Sequence, residues 1–169
     1  MSKRKKERIL LIRRMIFIIF AICWMMVIFH FSSKNADEST KDSNAAGMLV
    51  GRIVYSDFNV WPGKEQQVFA ERWDYPIRKT AHMTEYAILG FLFVASVISE
   101  KQRYKFSIFT AYAIAVLYAV SDEIHQFFVP GRACMLKDIG FDALGAAVGV
   151  TIGSALFIWW DKRLASTQD

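Results

Sequence analysis

The chain has 169 residues, of which 54% are hydrophobic, and it carries a formal net charge of +5. Its mean hydropathy of +0.23 is too high for an ordinary soluble globular domain and indicates one integral membrane domain. Much of the positive charge lies in residues 3–14, where it is a membrane orientation signal, so we expect no nucleic-acid partner.

The first predicted element is a membrane helix over residues 15–31. This run holds no charged residue and follows a basic segment, residues 1–14, which we assign to the cytoplasm. A cleaved signal peptide has the same order of charge and apolarity, but this run is long and bulky and no small-residue cleavage site follows it. We therefore expect an uncleaved anchor.

A polar segment, residues 32–78, connects the first helix to the second and is predicted to be an extracytoplasmic loop. Connections of this length are usually functional, partly structured or disordered. Residues 64–73 place apolar side chains near helical spacing, which favours a short helix at the membrane interface. An ordinary loop with scattered aromatic residues fits that segment equally well.

The second predicted membrane helix covers residues 80–99, with a proline, Pro76, just ahead of its start. Around that start Lys79, His82 and Glu85 recur every three residues, and Tyr86 follows His82 by four. These side chains therefore lie along one side of the first two turns. One helix face carries a cation, a base and an acid.

The third predicted helix covers residues 106–126. Its apolar run ends at residue 120, short of the roughly 20 residues that a span needs, so the helix must continue through the polar residues that follow. Asp122 lies next to Glu123, three residues before His125 and four before Gln126, which gives this helix a polar face at its end. A Pro-Gly pair then reverses the chain.

The fourth predicted helix covers residues 139–160 and is followed by a cytoplasmic tail, residues 162–169. Asp138 and Asp142 lie one turn apart at its start. Three small residues then recur at every fourth position: Gly145, Gly149 and Gly153. Such a small-xxx-small ridge lets another helix approach closely.

Charge distribution sets the predicted topology. With four spans, the basic N-terminus, the basic turn near residue 103 and the basic tail all lie on one side, which the positive-inside rule assigns to the cytoplasm. We therefore predict an all-α integral membrane bundle of four transmembrane helices, residues 15–161, with both termini cytoplasmic. The polar ends of the second, third and fourth helices then meet at one depth and face outward.

The polar ends contain more acids than bases. The acids are Glu85, Asp122, Glu123, Asp138 and Asp142, and the cations facing them are Lys79 and Arg132. Partly buried carboxylates in surplus must hold protons, bind a cation, or exchange protons with neighbouring histidines. The candidate ligands for Mg²⁺, Mn²⁺, Ca²⁺ or Zn²⁺ are Asp122, Glu123, His125 and His82, at a spacing that matches no established metal signature.

These residue types predict an acid–base site that holds an anion. Histidine titrates near neutral pH, which suits His125 and His82 to general acid–base catalysis. The carboxylates expected to orient them or to bind metal are Asp122, Glu123 and Glu85. The groups expected to hold a phosphate-like anion are Lys79, Arg132 and Gln126. The supporting residues are Asp138, Asp142 and Tyr86.

Some of these residues also have a purely structural interpretation. Asp138 and Asp142 are at a helix N-terminus, where the macrodipole favours negative charge, and Arg132 would neutralise one of them. Lys79 reaches the interface by snorkelling, and Gln126 is equally suited to a solvated loop.

Three motifs resemble the VanZ-like family of small bacterial membrane proteins. They read RKTAHMTEYAILG, SDEIHQFFVPGR and DIGFDALGAAVG, and the DEIHQ-x-x-x-PGR portion is the most specific. The resemblance runs from the Phe-Ser-Ser after the first helix through the fourth helix, with Lys34 where glutamine is expected. It implies a multi-pass protein of the bacterial cytoplasmic membrane linked to teicoplanin-type glycopeptide resistance. It also implies similarity to membrane enzymes that transfer or hydrolyse lipid head groups.

Three functions follow as hypotheses. The first is an enzyme that exchanges or hydrolyses a phosphate-linked head group of a phospholipid or polyprenyl lipid in the outer leaflet, with membrane lipids or a cell-wall lipid precursor as partners. The second is a non-catalytic protein that binds a lipid or a lipoglycopeptide antibiotic. The third is a proton or ion pathway, which the apolar inner half of the predicted bundle disfavours.

Overall fold

The computed structural model describes residues 3–98 and 103–166. Within these ranges the chain forms helices and no strand, as the composition predicts. A short 3₁₀ turn, Phe58–Val60, lies between the second and third helices. The α-helices are α1, Lys3–Ser32; α2, Ala36–Val54; α3, Gly63–Val97; α4, Tyr104–Phe127; and α5, Leu136–Ser166.

Four of the described helices, α1, α3, α4 and α5, are long and apolar enough to cross a membrane. The most apolar window lies in α1 and has a mean hydropathy of 2.4. Large apolar side chains stay exposed along the bundle, among them Ile18, Phe109 and Leu117, which a lipid surround would cover. The predicted class, a bundle of four membrane helices, is confirmed; the side on which the termini lie stays a prediction.

The long helix α3 corrects the predicted start of the second span. The predicted helix began at residue 80, but α3 begins at Gly63, and Pro76 lies inside it. The proline at the helix start is Pro62, in the N-cap position with φ −54°, close to the angle that a helix requires. Residues 64–73 are therefore helical and continuous with the span, and the ordinary-loop alternative is wrong. The predicted end at Ser99 lies outside the described residues.

Of the alternatives for the predicted connection over residues 32–78, the structure shows a structured segment, because it contains α2 as well as the first part of α3. Its extracytoplasmic location stays a prediction. A capping box starts α2: Asn35 Oδ1 accepts from Glu38 N at 2.9 Å, and Glu38 Oε2 accepts from Asn35 N at 3.1 Å. Further along, Gly47 lies so close to α3 that a Cβ there would be 3.0 Å from Ala70 Cα. In this segment α2 and the first part of α3 therefore form a helical hairpin.

The two end helices extend beyond their predicted bounds. α1 runs back to Lys3 through the basic segment, because lysine and arginine are good helix formers. α5 likewise continues through part of the predicted tail to Ser166. Both extensions lie at the same end of the bundle, where Arg13 contacts the backbone oxygen of Ile98 and Tyr104 Oη donates to Asp161 Oδ2 at 2.6 Å.

The glycine ridge of α5 packs directly on α3. A Cβ at Gly145 would lie 2.2 Å from the backbone oxygen of Met83, and a Cβ at Gly149 would lie 1.7 Å from that of Ala87. The contact is reciprocal, because a Cβ at Gly90 of α3 would lie 2.5 Å from the backbone oxygen of Ala146. Close packing of the two backbones fixes the polar start of α5 against the polar middle of α3.

Candidate functional site

Polar side chains from α1, α3, α4 and α5 meet at one end of the bundle, which we call the polar end. Lys79 Nζ of α3 lies 2.6 Å from Asp138 Oδ2 of α5. Glu123 Oε1 of α4 accepts from the backbone N–H of Met135, just ahead of α5, at 2.6 Å. The structure thus brings together stretches that are distant along the chain.

Asp122 is held in a three-membered hydrogen-bond cluster that ties α4 to α1. Ser32 Oγ donates to Asp122 Oδ2 at 2.8 Å, and Gln126 Nε2 donates to the same oxygen at 3.0 Å and to Ser32 Oγ at 3.2 Å. Ser32 is fully buried, and Asp122 and Gln126 nearly so. These contacts fix the end of α1 beside the polar face of α4.

His82 and Glu85 form the acid–base pair of the site. His82 Nδ1 lies 3.3 Å from Glu85 Oε2, and both side chains are about one-sixth exposed, at 16%. The two atoms lack hydrogen-bond geometry and have no other partner within the described residues. A small rotation of either side chain would align them, so the pair is poised to share a proton.

Buried polar atoms without a hydrogen-bond partner concentrate at the polar end. Within residues 3–98 and 103–166 they include Tyr86 Oη, Asp122 Oδ1 and Asp138 Oδ1, besides the two atoms of the His82–Glu85 pair. Buried polar groups in native proteins are usually satisfied, so these atoms require protons, water or a ligand. A space of about 10 Å³, close to what one water molecule needs, opens beside two of these residues, His82 and Asp138. Its lining residues are Lys79, His82, Glu123, Gln126, Asp138 and Asp142.

A larger cavity of about 220 Å³, which we call the first cavity, lies between α2 and α3. Three cations line it, Lys34, Arg78 and Arg132, and the acid Asp42, which also lines it, pairs with Lys34. The His82–Glu85 pair lies on its wall. Its apolar lining residues are Phe31, Ala46, Ile77 and Ala81. The cavity thus combines an anion-binding group, an acid–base pair and an apolar wall.

Neighbouring groups hold the cavity's arginines in place. Arg78 Nη2 lies 2.5 Å from Asp74 Oδ2, and Asp74 also accepts from Ser43 Oγ of α2. Arg132 Nε donates to the backbone oxygen of Lys34 at 3.3 Å, which leaves its terminal nitrogens available. Burial, followed by the positive charge of Arg78, lowers the pKa of the Arg132 guanidinium, which still stays protonated.

A comparison with known protein families shows the family membership of the chain. The family described as VanZ/LLP1 matches residues 17–159. The chain belongs to this VanZ-like family. The match covers all four spans and the polar end, and the resemblance predicted from the three motifs is confirmed. No curated protein matches the chain, and no solved structure does.

His125 of this VanZ-like protein lies on the α1 side of α4 rather than beside His82. Its ring stacks on Phe29 with centroids 4.5 Å apart, and its Nε2 lies 3.2 Å from Ser33 Oγ. On a helix, position 125 points away from position 123, which faces α5. The structure therefore brings Lys79, His82 and Glu123 to one space and places His125 at the neighbouring helix contact.

Several residues of the VanZ-like site lie outside the predicted set. Ser32, Lys34 and Asp74 contribute contacts or lining, although each comes from a segment predicted as loop or loop boundary. The Phe-Ser-Ser of the family resemblance was the available signal for Ser32. The ion pair of Asp74 with Arg78 depends on residues 64–78 being helical, because a helix brings residues four positions apart together. It could not be predicted while this segment was assigned as a loop.

Two of the four predicted metal ligands, His82 and Glu123, line the same small space, whereas Asp122 and His125 do not line it. Among the described residues, no group of three or more His, Cys, Asp or Glu side chains is arranged to hold a metal ion. Asp122, Glu123, His82 and His125 instead contact Ser32, Met135, Glu85 and Ser33, respectively.

Proposed function

We propose that this VanZ-like family member acts on the phosphate-linked head group of a phospholipid or polyprenyl lipid in the outer leaflet, by exchange or hydrolysis. The observation that carries the proposal is the first cavity, where Lys34, Arg78 and Arg132 lie beside the His82–Glu85 pair and an apolar wall. The cations suit the phosphate of a lipid phosphodiester, and the apolar wall suits its glycerol or isoprenoid portion. The His82–Glu85 pair suits the proton transfers of the reaction.

The arginines suit the phosphate. A guanidinium presents paired donors that match phosphate oxygens, and it stays charged even when partly buried. Asp74 neutralises Arg78 in part, while Arg132 binds only a backbone oxygen among the described protein groups. Arg132 is therefore the stronger anion-binding group, and the apolar wall gives the lipid's glycerol or isoprenoid portion a surface to contact.

The His82–Glu85 pair suits the proton transfers. Glu85 lies on the Nδ1 side of the ring, which leaves Nε2 to take a proton from water or from an acceptor hydroxyl. The oxygen so activated forms a bond to phosphorus, and the phosphorus–oxygen bond to the departing alcohol breaks. The departing oxygen then takes up the proton, so the histidine returns to its starting state.

The test of the proposal is head-group turnover by the purified protein in liposomes of defined composition, followed by mass spectrometry of lipids and released head groups. A lipid comparison of cells with and without the protein identifies the substrate to use. We also propose that this activity underlies teicoplanin-type resistance. Resistance that persists when turnover is lost would favour the non-catalytic binding alternative.

Replacing Arg132 by glutamine is expected to raise the KM for the lipid about 10-fold to 100-fold, with a smaller change in kcat. The reason is the loss of a charge-assisted hydrogen bond, which contributes about 1.5–3 kcal/mol. Initial rates over a range of lipid mole fractions measure the effect. Arg52→Gln is the matched control, because Arg52 is exposed on α2. An equal KM for both variants would contradict the assigned role.

The proposed outward orientation of the polar end can be tested with the two native cysteines, both of which are exposed. We expect Cys134, in the turn before α5, to react with a membrane-impermeant maleimide on intact cells, whereas lipid shields Cys23 in the middle of α1. Mass tagging on a gel reports the labelling. Arg163→Cys on the opposite end should label only after permeabilisation; the reverse pattern would invert the topology.

A further inference from the structure

A second cavity of about 250 Å³ adjoins the first at the polar end. Three residues line both cavities: Arg78, His82 and Arg132. The second cavity extends in the other direction, toward the turn before α5. Its remaining lining residues are Ala36, Tyr75, Lys79, Gln126, Gly131, Ala133, Met135, Lys137 and Asp138. The two cavities are therefore adjacent, and the shared residues contact both.

The charged residues that line the second cavity are mostly positive. Lys79 Nζ and Lys137 Nζ lie 5.4 and 5.5 Å from the centre of the same ring, that of Tyr75. Asp138 pairs with Lys79, but Lys137 has no ion-pair partner in the part of the chain that the structure describes. Arg132 also lines this cavity but is assigned above to the lipid phosphate, so Lys137 is the cation left to hold a second anion.

We infer that the second cavity binds a small water-soluble anion that carries a hydroxyl group, and that this compound is the acceptor in a transfer reaction. The inference rests on the proposed function and names its second substrate class: an alcohol bearing a phosphate or a carboxylate. The unpartnered Oδ1 of Asp138, a residue that lines this cavity, is an acceptor for that hydroxyl. Such a site favours exchange of head groups over hydrolysis.

The transfer balances without a further reactant. The acceptor's hydroxyl oxygen forms a bond to the lipid's phosphorus, its proton passes to His82, and the phosphorus–oxygen bond to the original head group breaks. The departing alcohol oxygen then takes the proton from His82. One phosphodiester and one alcohol are consumed, and one of each is formed, with no change of oxidation state.

The test measures acceptor binding to the full-length protein in phosphatidylcholine nanodiscs by calorimetry. The probes are sn-glycerol 3-phosphate, glycerate and glycerol, which share the hydroxyls and differ in the anion. We expect binding of at least one anionic probe and none of glycerol. Which anion binds more tightly distinguishes a phosphate from a carboxylate acceptor.

Matched variants assign that binding to one cavity. Ala133→Phe fills the second cavity and is expected to weaken binding of the anionic probe at least tenfold, and Lys137→Glu, which adds no bulk, should do the same. Ala46→Phe fills the first cavity and should change binding of the anionic probe less than twofold. The inference is overturned if neither anion binds, or if Ala133→Phe and Lys137→Glu both leave binding unchanged, or if Ala46→Phe abolishes it equally.

The experiments on anion binding and on head-group turnover test the two proposals independently. Absence of head-group turnover by the wild-type protein, together with anion binding sensitive to Ala133→Phe, would overturn the proposed reaction and keep the second cavity as an anion site. Turnover that proceeds at the same rate with and without either anionic probe would overturn the acceptor assignment.

Discussion

His82→Gln is expected to lower head-group turnover by about 100-fold to 10,000-fold while lipid binding is retained. General acid–base catalysis by a positioned side chain contributes on this scale. His82 lines both cavities and lies 3.3 Å from Glu85, so it is the one described histidine placed to move a proton between the two substrates. Glutamine keeps a similar size and hydrogen-bonding capacity but cannot take up the proton.

Two other histidines serve as controls for this prediction. His30→Gln, at the same end of the bundle but exposed on α1, should leave kcat unchanged. His125→Gln should have a smaller effect than His82→Gln, because His125 stacks on Phe29 at the helix contact. Turnover by the His82 variant close to that of the wild type would remove the acid–base role and leave a binding protein.

Gly149→Val is expected to destabilise the bundle by about 3 kcal/mol or more, at the upper end of the cost of overpacking. Its Cβ would come 1.7 Å from the backbone oxygen of Ala87, a distance that only separation of α3 from α5 can relieve. Unfolding of the protein in mixed micelles, followed by circular dichroism against SDS mole fraction, measures the loss.

Gly140→Val provides the matched control on the same helix. A Cβ at Gly140 meets no atom within 4 Å, so its effect should stay within about 0.5 kcal/mol. Equal stability of the two variants would mean that the close approach of α3 and α5 does not hold in the membrane.

The regular features of the fold were predictable from the sequence because they repeat along the chain. A spanning helix needs a long apolar run, and such a run marks each of the four spans, although the third run ends at residue 120 and its helix continues through polar residues. The glycines of α5 recur every four residues, and this spacing alone places them on one face, as the contacts with Met83 and Ala87 confirm.

Some features of the fold could not be predicted because the sequence pattern was compatible with two different structures. Pro62 and Pro76 are both compatible with a helix start, and only the packing of α2 on α3 decides for Pro62. The capping box of Asn35 and Glu38 was a readable signal for α2, but the length and polarity of the segment favoured a loop. The first cavity could not be predicted without α2, because α2 supplies one of its walls.

The orientations of His82 and His125 were also not predictable from the sequence. His82 and His125 both lie next to acids in the sequence, so residue type and spacing treat them alike. What separates them is the rotation of α4 about its axis, which depends on contacts with α1 such as that between Ser32 and Asp122. Contacts of this kind join positions far apart in the chain and leave no local pattern.

The uninterrupted helix α3 carries Asp74, Arg78, His82 and Glu85 on consecutive turns. Arg78, one of the two arginines of the first cavity, and His82 both follow Pro76, so their axial spacing is that of four helical residues, about 6 Å. A change of helix tilt in bilayers of different thickness would not stretch that interval. For the proposed reaction, the spacing of Arg78 and His82 would therefore be independent of lipid composition.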